Sequence, residues 1–217
     1  AGRLRERLGD ARHSVPIGVG LHDREHARGG RVPSGNRVVV AWRGEMDRDV
    51  RAAMREAADD PAVKVIILTG AGKGFCAGAD MNMLQTIQSG DASTSRSAVN
   101  ALEPWDKTAN ENFQKQYSWF PAVQKPIIAA INGAAAGLGL IISLYCDIRF
   151  ASDKAKFTTA FSRRGLVAEH GISWLLPRLI GFANAADLLY SARVITAPEA
   201  KGMGLVSRVI PAEDFER

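Results

Sequence analysis

The chain has 217 residues, of which 46% are hydrophobic and 24% charged, and this predicts one globular domain with a substantial core. Its net charge of +5 is concentrated at the start, because residues 1–37 hold eight arginines against four acidic residues and so contribute +4. No apolar run reaches the ~18 residues of a membrane span, and the basic segment has neither the apolar core of a signal peptide nor aromatic residues for base stacking. Cys76 and Cys146 lack the spacing of a metal site, which indicates reduced packing residues. We therefore expect a cytoplasmic protein that binds neither membranes nor nucleic acid.

The first 37 residues have no clear hydrophobic period. Glycine, arginine and histidine are frequent, and Pro16, Pro33 and the Gly29–Gly30 pair interrupt any regular pattern. We expect residues 1–37 to form an atypical basic arm with poor order or unusual pairing, followed by a core over residues 38–217.

Within the core, strand patterns alternate with helix patterns. The apolar runs predict strands at Val38–Trp42, Val63–Thr69, from Ile127, Cys146–Ala151, Ala155–Thr158 and Leu205–Ile210. Helical spacing predicts helices at Glu45–Ala58, Asp106–Phe120, Gly171–Ile180, Ala183–Ser191 and from Pro198. Residues 88–99 are rich in serine, threonine and aspartate and predict a loop. Alternating strands and helices indicate the α/β class.

Two strand-to-helix turns consist almost entirely of small residues. Gly70–Asp80 lead from one strand into Met81–Leu84, and Asn132–Gly139 lead from a buried strand into an apolar helix. Such turns leave backbone N–H groups at a helix start free to meet negative charge. Two of them together supply the two main-chain donors that an oxyanion hole requires.

Three segments of the chain resemble the enoyl-CoA hydratase/isomerase (crotonase) superfamily. They are Phe75–Asp80, Lys125–Gly139 and Cys146–Ala151, and Gly165–Val167 and Ala200–Val206 extend the match. The resemblance implies a spiral of repeated ββα units, an acyl-CoA thioester as the substrate, and a homotrimer or hexamer. It implies no metal or redox cofactor, because CoA arrives as part of the substrate. We expect the core to lack the C-terminal helices with which the family covers its acyl pocket and builds its oligomer.

The position of each motif implies which residues meet the substrate. By position in the family motif, the resemblance implies that the two oxyanion donors are the N–H groups of Ala79 and Leu138. The neighbouring turn residues expected to contact the substrate are Ala77, Gly78, Asp80 and Gly137. For Asp80 the alternative is an N-cap, in which its carboxylate accepts N–H groups of the following helix.

The acid and base groups depart from the family pattern. Hydratases of the family use two glutamates, whose places fall on Ile141 and Phe161, and neither side chain can transfer a proton. Phe161 remains a candidate substrate contact. Glu169 lies where dienoyl-CoA isomerases of the family carry a proton-moving aspartate, and burial beside an acyl chain would raise its pKa into a useful range. His170 could orient Glu169 and touch the substrate; alternatively, Glu169 caps the next helix and His170 is a hydrogen-bonded core residue.

Two other functions compete with an isomerase-like enzyme. A dinucleotide site is disfavoured, because Ala77 stands where a glycine-rich loop needs its last glycine, and neither Tyr117 nor Tyr190 has a lysine four residues on. A crotonase-fold protein that binds an acyl-CoA or a partner without turning it over stays open, because the two glutamates are missing.

Overall fold

The computed structural model describes residues 14–19, 44–78 and 104–215. The predicted strand Val38–Trp42, the segment Met81–Leu84 and the loop 88–99 lie outside these ranges, as do Ala79 and Asp80. Most of the N-terminal arm lies outside them too, so its overall order remains a prediction.

The described residues form short strands and helices in alternation. The strands are Ser14–Val19 (β1), Val65–Gly70 (β2), Gly74–Cys76 (β3), Ile127–Ile131 (β4), Ala134–Ala136 (β5), Ile148–Ser152 (β6), Lys156–Thr158 (β7), Ile195–Thr196 (β8) and Arg208–Ile210 (β9). The helices are Gly44–Asp59 (α1), Leu138–Tyr145 (α2), Ile172–Ile180 (α3), Phe182–Ser191 (α4), Ala197–Gly202 (α5) and Ala212–Phe215 (α6). Most predicted elements of the core are therefore present, with ends shifted by a few residues.

The larger sheet has five parallel strands in the order β1-β2-β4-β6-β9. Its central strand β4 is buried at every position. A parallel strand covered on both faces requires such a continuous apolar run, which is why the sequence Ile-Ile-Ala-Ala-Ile predicts it.

The smaller sheet has the order β3-β5-β7-β8, in which only the β7–β8 pair is antiparallel. Consecutive strands alternate between the sheets: β2, β4 and β6 enter the larger sheet, and β3, β5 and β7 enter the smaller one. Helix α2 follows β5, and helix α3 follows β7. The chain therefore advances as repeated ββα units, which confirms the predicted fold.

The helices bury their apolar faces against these sheets. Helix α1 places Met46, Val50, Met54 and Ala57 on one buried face, at the spacing of an amphipathic helix. Full burial of a side chain such as Met54 contributes about 1.5–3 kcal/mol. Helix α2 is buried at every position except its last residue, so it lies inside the core. Among the described helices, none combines the length and apolar character needed to cross a bilayer.

A buried arginine closes the C-terminal end of α2. Arg149 donates from Nη1 to the carbonyl groups of Cys146 at 2.7 Å and Ser143 at 3.4 Å, and from Nε to that of Leu205 at 2.9 Å. A cation is favoured at a helix C-terminus, where carbonyl groups lack intrahelical partners. Cys76 and Cys146 are buried free thiols, as predicted, and burial raises the pKa of Cys146 to about 12.

The predicted helix at residues 106–120 is wrong. Only a 3₁₀ turn at Glu111–Phe113 forms inside it, and another begins at its end. The carboxylate of Asp106 accepts the N–H of Thr108 at 2.7 Å, and such local bonds compete with helix formation. The apolar spacing arises instead from aromatic residues that an irregular chain delivers to the core, namely Tyr117, Trp119 and Phe120.

One strand lies inside the N-terminal arm, where the sequence did not predict it. Strand β1 pairs in parallel with β2, from Ser14 opposite Val65 to Val19 opposite Gly70. Pro16 and Gly18 weaken the strand pattern, but among the described strands β1 lies at the edge of the sheet. Proline is tolerated there, because one side of an edge strand makes no ladder bonds.

Candidate active site

The two small-residue turns lie side by side because β3 and β5 pair in parallel. Cys76, the last residue of β3, lies opposite Ala135 in β5. Parallel strands end at the same edge of a sheet, so the chain leaves β3 through Ala77–Gly78 next to the point where it leaves β5 through Gly137–Leu138. Two segments 60 residues apart in sequence are thereby brought together, as the candidate site requires.

Glycine residues allow the backbones of the two turns to approach each other closely. A Cβ atom on Gly78, whose φ is +106°, would lie 3.1 Å from the carbonyl oxygen of Ala136 and 3.9 Å from the amide nitrogen of Leu138. A Cβ atom on Gly139 would lie only 2.2 Å from the carbonyl oxygen of Cys76. The backbone at Gly78 therefore lies close to the residues Ala136–Leu138.

The amide of Leu138 is the first of helix α2. Gly137 precedes it with φ +50° and ψ −116°, and its own N–H donates to the carbonyl oxygen of Thr158 at 3.0 Å. The N–H groups of a first helical turn have no acceptor inside the helix, and the helix dipole adds partial positive charge there. This amide is suited to binding an oxygen that carries partial negative charge.

Asn132 ties the first turn to the end of β4, and the sequence analysis missed it. Its Oδ1 accepts the N–H of Gly70 at 3.1 Å, and its Nδ2 donates to the carbonyl oxygens of Gly72 at 2.6 Å and Gly74 at 3.3 Å. An amide side chain can donate and accept at once, so it replaces the ladder bonds that the chain loses where it turns. A polar residue directly after a buried strand was the available signal.

Ala79 and Asp80, predicted as a donor and as a substrate contact or N-cap, lie outside the described residues. Their neighbours Ala77 and Gly78 are described, Ala77 being exposed and Gly78 buried. The described backbone therefore ends at Gly78, one residue before the predicted first donor.

The two positions that carry glutamates in hydratases of the family are apolar and buried. Ile141 is fully buried within α2, and Phe161 is 7% exposed. The carbonyl oxygen of Phe161 accepts the N–H groups of Arg164 at 2.9 Å and Leu166 at 3.1 Å, which fixes the turn after it. Neither side chain offers a proton-transferring group.

Glu169 lies in the turn that precedes α3. Its side chain is 45% exposed, so the burial expected of it is not seen within the described residues. The N-cap of α3 is Gly171, with no side-chain cap, and Glu169 contributes only its carbonyl oxygen, which accepts the N–H of Ile172 at 3.2 Å. The capping alternative is therefore wrong for its carboxylate.

In residues 44–78 and 104–215, no group of three or more His, Cys, Asp or Glu could hold a metal ion.

The imidazole of His170 contacts both Glu169 and Tyr117. The Nε2 atom of His170 lies 3.7 Å from Oε1 of Glu169, and the imidazole meets the ring of Tyr117 edge to face at 4.9 Å. Burial lowers the pKa of His170, and the charge of Glu169 opposes this. Burial also raises the pKa of the Tyr117 phenol, with further increases from Asp47, Cys76 and Glu169. One phenol is thus within electrostatic reach of both Cys76 and the candidate base.

Strands that alternate between two sheets, with paired small-residue turns at one edge, define a crotonase-type protein. A model of the enoyl-CoA hydratase/isomerase family matches residues 36–217. The chain belongs to this family, which confirms the resemblance seen in its motifs.

Individual relatives include both hydratases and an isomerase. The chain is 37% identical over 175 residues to the probable enoyl-CoA hydratase echA8 of Mycobacterium bovis, covering 81% of this chain and 62% of that protein. It is 39% identical over 153 residues to the peroxisomal Delta(3,5)-Delta(2,4)-dienoyl-CoA isomerase of Arabidopsis thaliana, covering 69% of this chain and 53% of that protein. The chain thus spans between about half and three fifths of the length of these relatives.

A solved structure supports the same fold. The crystal structure of an enoyl-CoA hydratase from Bacillus anthracis matches with a TM-score of 0.72 and 29% identity. The match covers 94% of this chain and 69% of that one. The match supports the crotonase fold for the part of the chain that the structure describes.

Proposed function

We propose that the chain acts on an acyl-CoA thioester, which it activates by stabilising negative charge on the thioester oxygen. The observation that carries this proposal is the proximity of Gly78 to Ala136 and to the amide of Leu138. Because Ala79 directly follows Gly78, its N–H is the natural second donor beside that of Leu138. Family membership supports the substrate class, since relatives are named as enoyl-CoA hydratases and a dienoyl-CoA isomerase.

The chemistry follows from the charge on that oxygen. Removal of a proton from the α-carbon of a thioester moves charge onto the carbonyl oxygen and gives an enolate. Preorganised N–H donors stabilise the enolate, and each donor contributes about 3 kcal/mol, or roughly a hundredfold in rate. The activity proposed here uses no resident metal or redox group, and CoA enters with the substrate.

Glu169 is the proposed group that moves the proton. With Ile141 and Phe161 apolar and buried, two-glutamate hydration has no acid or base at those positions. Glu169 carries a carboxylate beside an imidazole, which suits it to take a proton from one carbon and return it to another. This favours double-bond isomerisation, or another enolate step, over hydration. His170 orients the carboxylate, and Phe161, Asp80, Ala77 and Gly137 complete the substrate contacts.

The second candidate function is an acyl-CoA- or partner-binding protein without turnover. The buried apolar residues at positions 141 and 161 favour it, because they remove the acid and base of hydratases. For either function we also infer a homotrimer or hexamer, as the family resemblance implies. A cytoplasmic location is consistent with the two buried free thiols, which stay reduced there.

Proton exchange distinguishes the two functions. The purified chain is incubated with butyryl-, hexanoyl- and octanoyl-CoA in deuterated water, and mass spectrometry follows deuterium at the α-carbon. We expect exchange that Glu169→Gln slows by about 10²–10⁴-fold and that the control Glu213→Gln leaves unchanged. Binding of all three thioesters without exchange would instead support the non-catalytic protein.

Two unsaturated substrates then distinguish the reactions. 3-Hexenoyl-CoA reports isomerisation by the appearance of a conjugated thioester, and crotonyl-CoA reports hydration by its loss. We expect isomerisation to exceed hydration, and faster hydration would contradict the proposed reaction.

A further inference from the structure

The turn that carries Glu169 has a backbone that needs external support. His170 has φ +53° and Gly171 has φ +82°, so two consecutive residues adopt the left-handed conformation. For a residue with a Cβ atom, such as histidine, this costs about 1–2 kcal/mol. Strained residues of this kind persist where neighbouring groups hold them, and they concentrate at functional sites.

Tyr145 supplies one support. Its hydroxyl donates to the carbonyl oxygen of His170 at 2.9 Å. A Cβ atom on Gly171 would lie only 2.4 Å from the same hydroxyl oxygen, so the hydroxyl fits closely against the turn. Burial raises the pKa of Tyr145, which keeps the phenol neutral and able to donate.

Helix α2 links this support to the candidate oxyanion donor. Tyr145 is its last residue and Leu138 its first, which separates their Cα atoms by about 10 Å. One rigid element thus carries both the proposed donor and the anchor of the turn.

Tyr117 supports the imidazole from another side. It meets His170 edge to face, and its hydroxyl accepts from Nε2 of Gln116 at 2.8 Å. The ring is 6% exposed, so it is packed in place. An edge-to-face aromatic pair stabilises one orientation of the imidazole, and the imidazole lies beside the carboxylate of Glu169.

We propose that Tyr145 and Tyr117 are positioning residues that together hold Glu169 at a fixed distance from the amide of Leu138. Tyr145 anchors the backbone of His170, and Tyr117 anchors its ring. The proposal rests on the proposed role of Glu169 as the proton-moving group. Small errors in such a distance are costly, since a displacement of about 1 Å can lower a rate by about a hundredfold.

The test removes one hydroxyl at a time from the full chain. Tyr145→Phe keeps the ring and loses the bond to His170, and the matched control Tyr190→Phe removes a hydroxyl from an exposed tyrosine. The readout is kcat and KM for α-proton exchange of butyryl-CoA in deuterated water. We expect Tyr145→Phe to lower kcat about tenfold with KM within twofold of the parent value, and Tyr190→Phe to change neither.

A second pair of variants tests the ring contact. Tyr117→Leu removes the aromatic edge and is expected to lower kcat about tenfold, whereas Tyr117→Phe keeps the edge and is expected to recover most of that loss. For every variant, kcat is divided by the folded fraction from circular dichroism. A merely structural role would lower the melting temperature and the folded fraction but leave kcat per folded molecule at the parent value.

Glu169→Gln, measured in the same assay, separates the two proposals. If it exchanges at the parent rate, the proposed role of Glu169 fails, and with it the positioning role. If it abolishes exchange while Tyr145→Phe and Tyr117→Leu keep the parent kcat, the positioning proposal alone is overturned. Equal losses in kcat for Tyr145→Phe and the Tyr190→Phe control would overturn it as well.

Discussion

Replacing Leu138 with proline removes a backbone N–H while keeping the geometry of helix α2. Proline is well tolerated at the first helical position, because that N–H has no acceptor in the helix and the ring fixes a helical φ. A residue before proline avoids the helical region. Gly137 has φ +50° and ψ −116°, which is the mirror image of an extended conformation and lies outside the helical region. Glycine adopts this conformation as readily as the extended one, so Gly137 can precede a proline.

The expected loss can be estimated from the proposed role of this amide. Removing one of two oxyanion donors costs about 3 kcal/mol in the transition state, or roughly a hundredfold in rate. Leu138 is also 6% exposed, so trimming its side chain lowers the free energy of unfolding by about 2–5 kcal/mol. The stability loss reduces the amount of folded protein and leaves the rate of each folded molecule as it was.

A matched variant separates these two effects. Leu138→Ala also trims the side chain but keeps the N–H. The rate of α-proton exchange of butyryl-CoA is measured for both variants and divided by the folded fraction from circular dichroism. We expect Leu138→Pro to be about a hundredfold slower than Leu138→Ala. Equal rates would refute the assignment of this amide as a donor.

Three further changes test other parts of the structure. Burial lowers the pKa of His170 in the folded state, so its contribution to stability falls as pH drops below about 6.5. Between about pH 7 and pH 5, chemical denaturation should show that the free energy of unfolding falls less for His170→Asn than for the parent chain. Equal falls in the two proteins would contradict this. Asn132→Ala removes three hydrogen bonds and should lower the free energy of unfolding in urea by about 2–3 kcal/mol, with slower α-proton exchange of butyryl-CoA. A change below about 0.5 kcal/mol would show that the three bonds do not stabilise the fold. Arg149→Met leaves three buried carbonyl groups without their charged donor and should lower the free energy of unfolding in urea by about 2–4 kcal/mol. The exchange rate of the folded fraction should be retained. A lower rate would show that Arg149 takes part in the reaction.

The elements that the sequence predicts well are those whose pattern is local. Strand β4 follows from a continuous apolar run, and α1 follows from Met46, Val50 and Met54 at helical spacing. Strands β3 and β5 were missed inside the small-residue turns, because such short strands depend on pairing with segments remote in sequence: β3 pairs with β5, and β5 also pairs with β7. The false helix at residues 106–120 has a related cause, since its aromatic residues are buried by long-range packing rather than by a regular period.

The candidate site likewise has one part that local sequence predicts and another that depends on contacts between distant segments. The small residues of the two turns predicted where main-chain donors could be. The proximity of Gly78 to the amide of Leu138 depends on the parallel pairing of β3 and β5. The hydrogen bond from Tyr145 to His170 could not be foreseen, because 25 residues separate them in sequence and no motif connects them. The positive φ of His170 could not be predicted either, because only a few per cent of non-glycine residues adopt one.

The most direct measurement is a crystal structure of the chain with butyryl-CoA bound. If two main-chain amides polarise the thioester, its carbonyl oxygen will lie about 2.7–3.1 Å from the amide nitrogens of both Ala79 and Leu138, with the carboxylate of Glu169 facing the acyl chain. A thioester oxygen directed elsewhere, or more than about 4 Å from the amide of Leu138, would contradict this proposal.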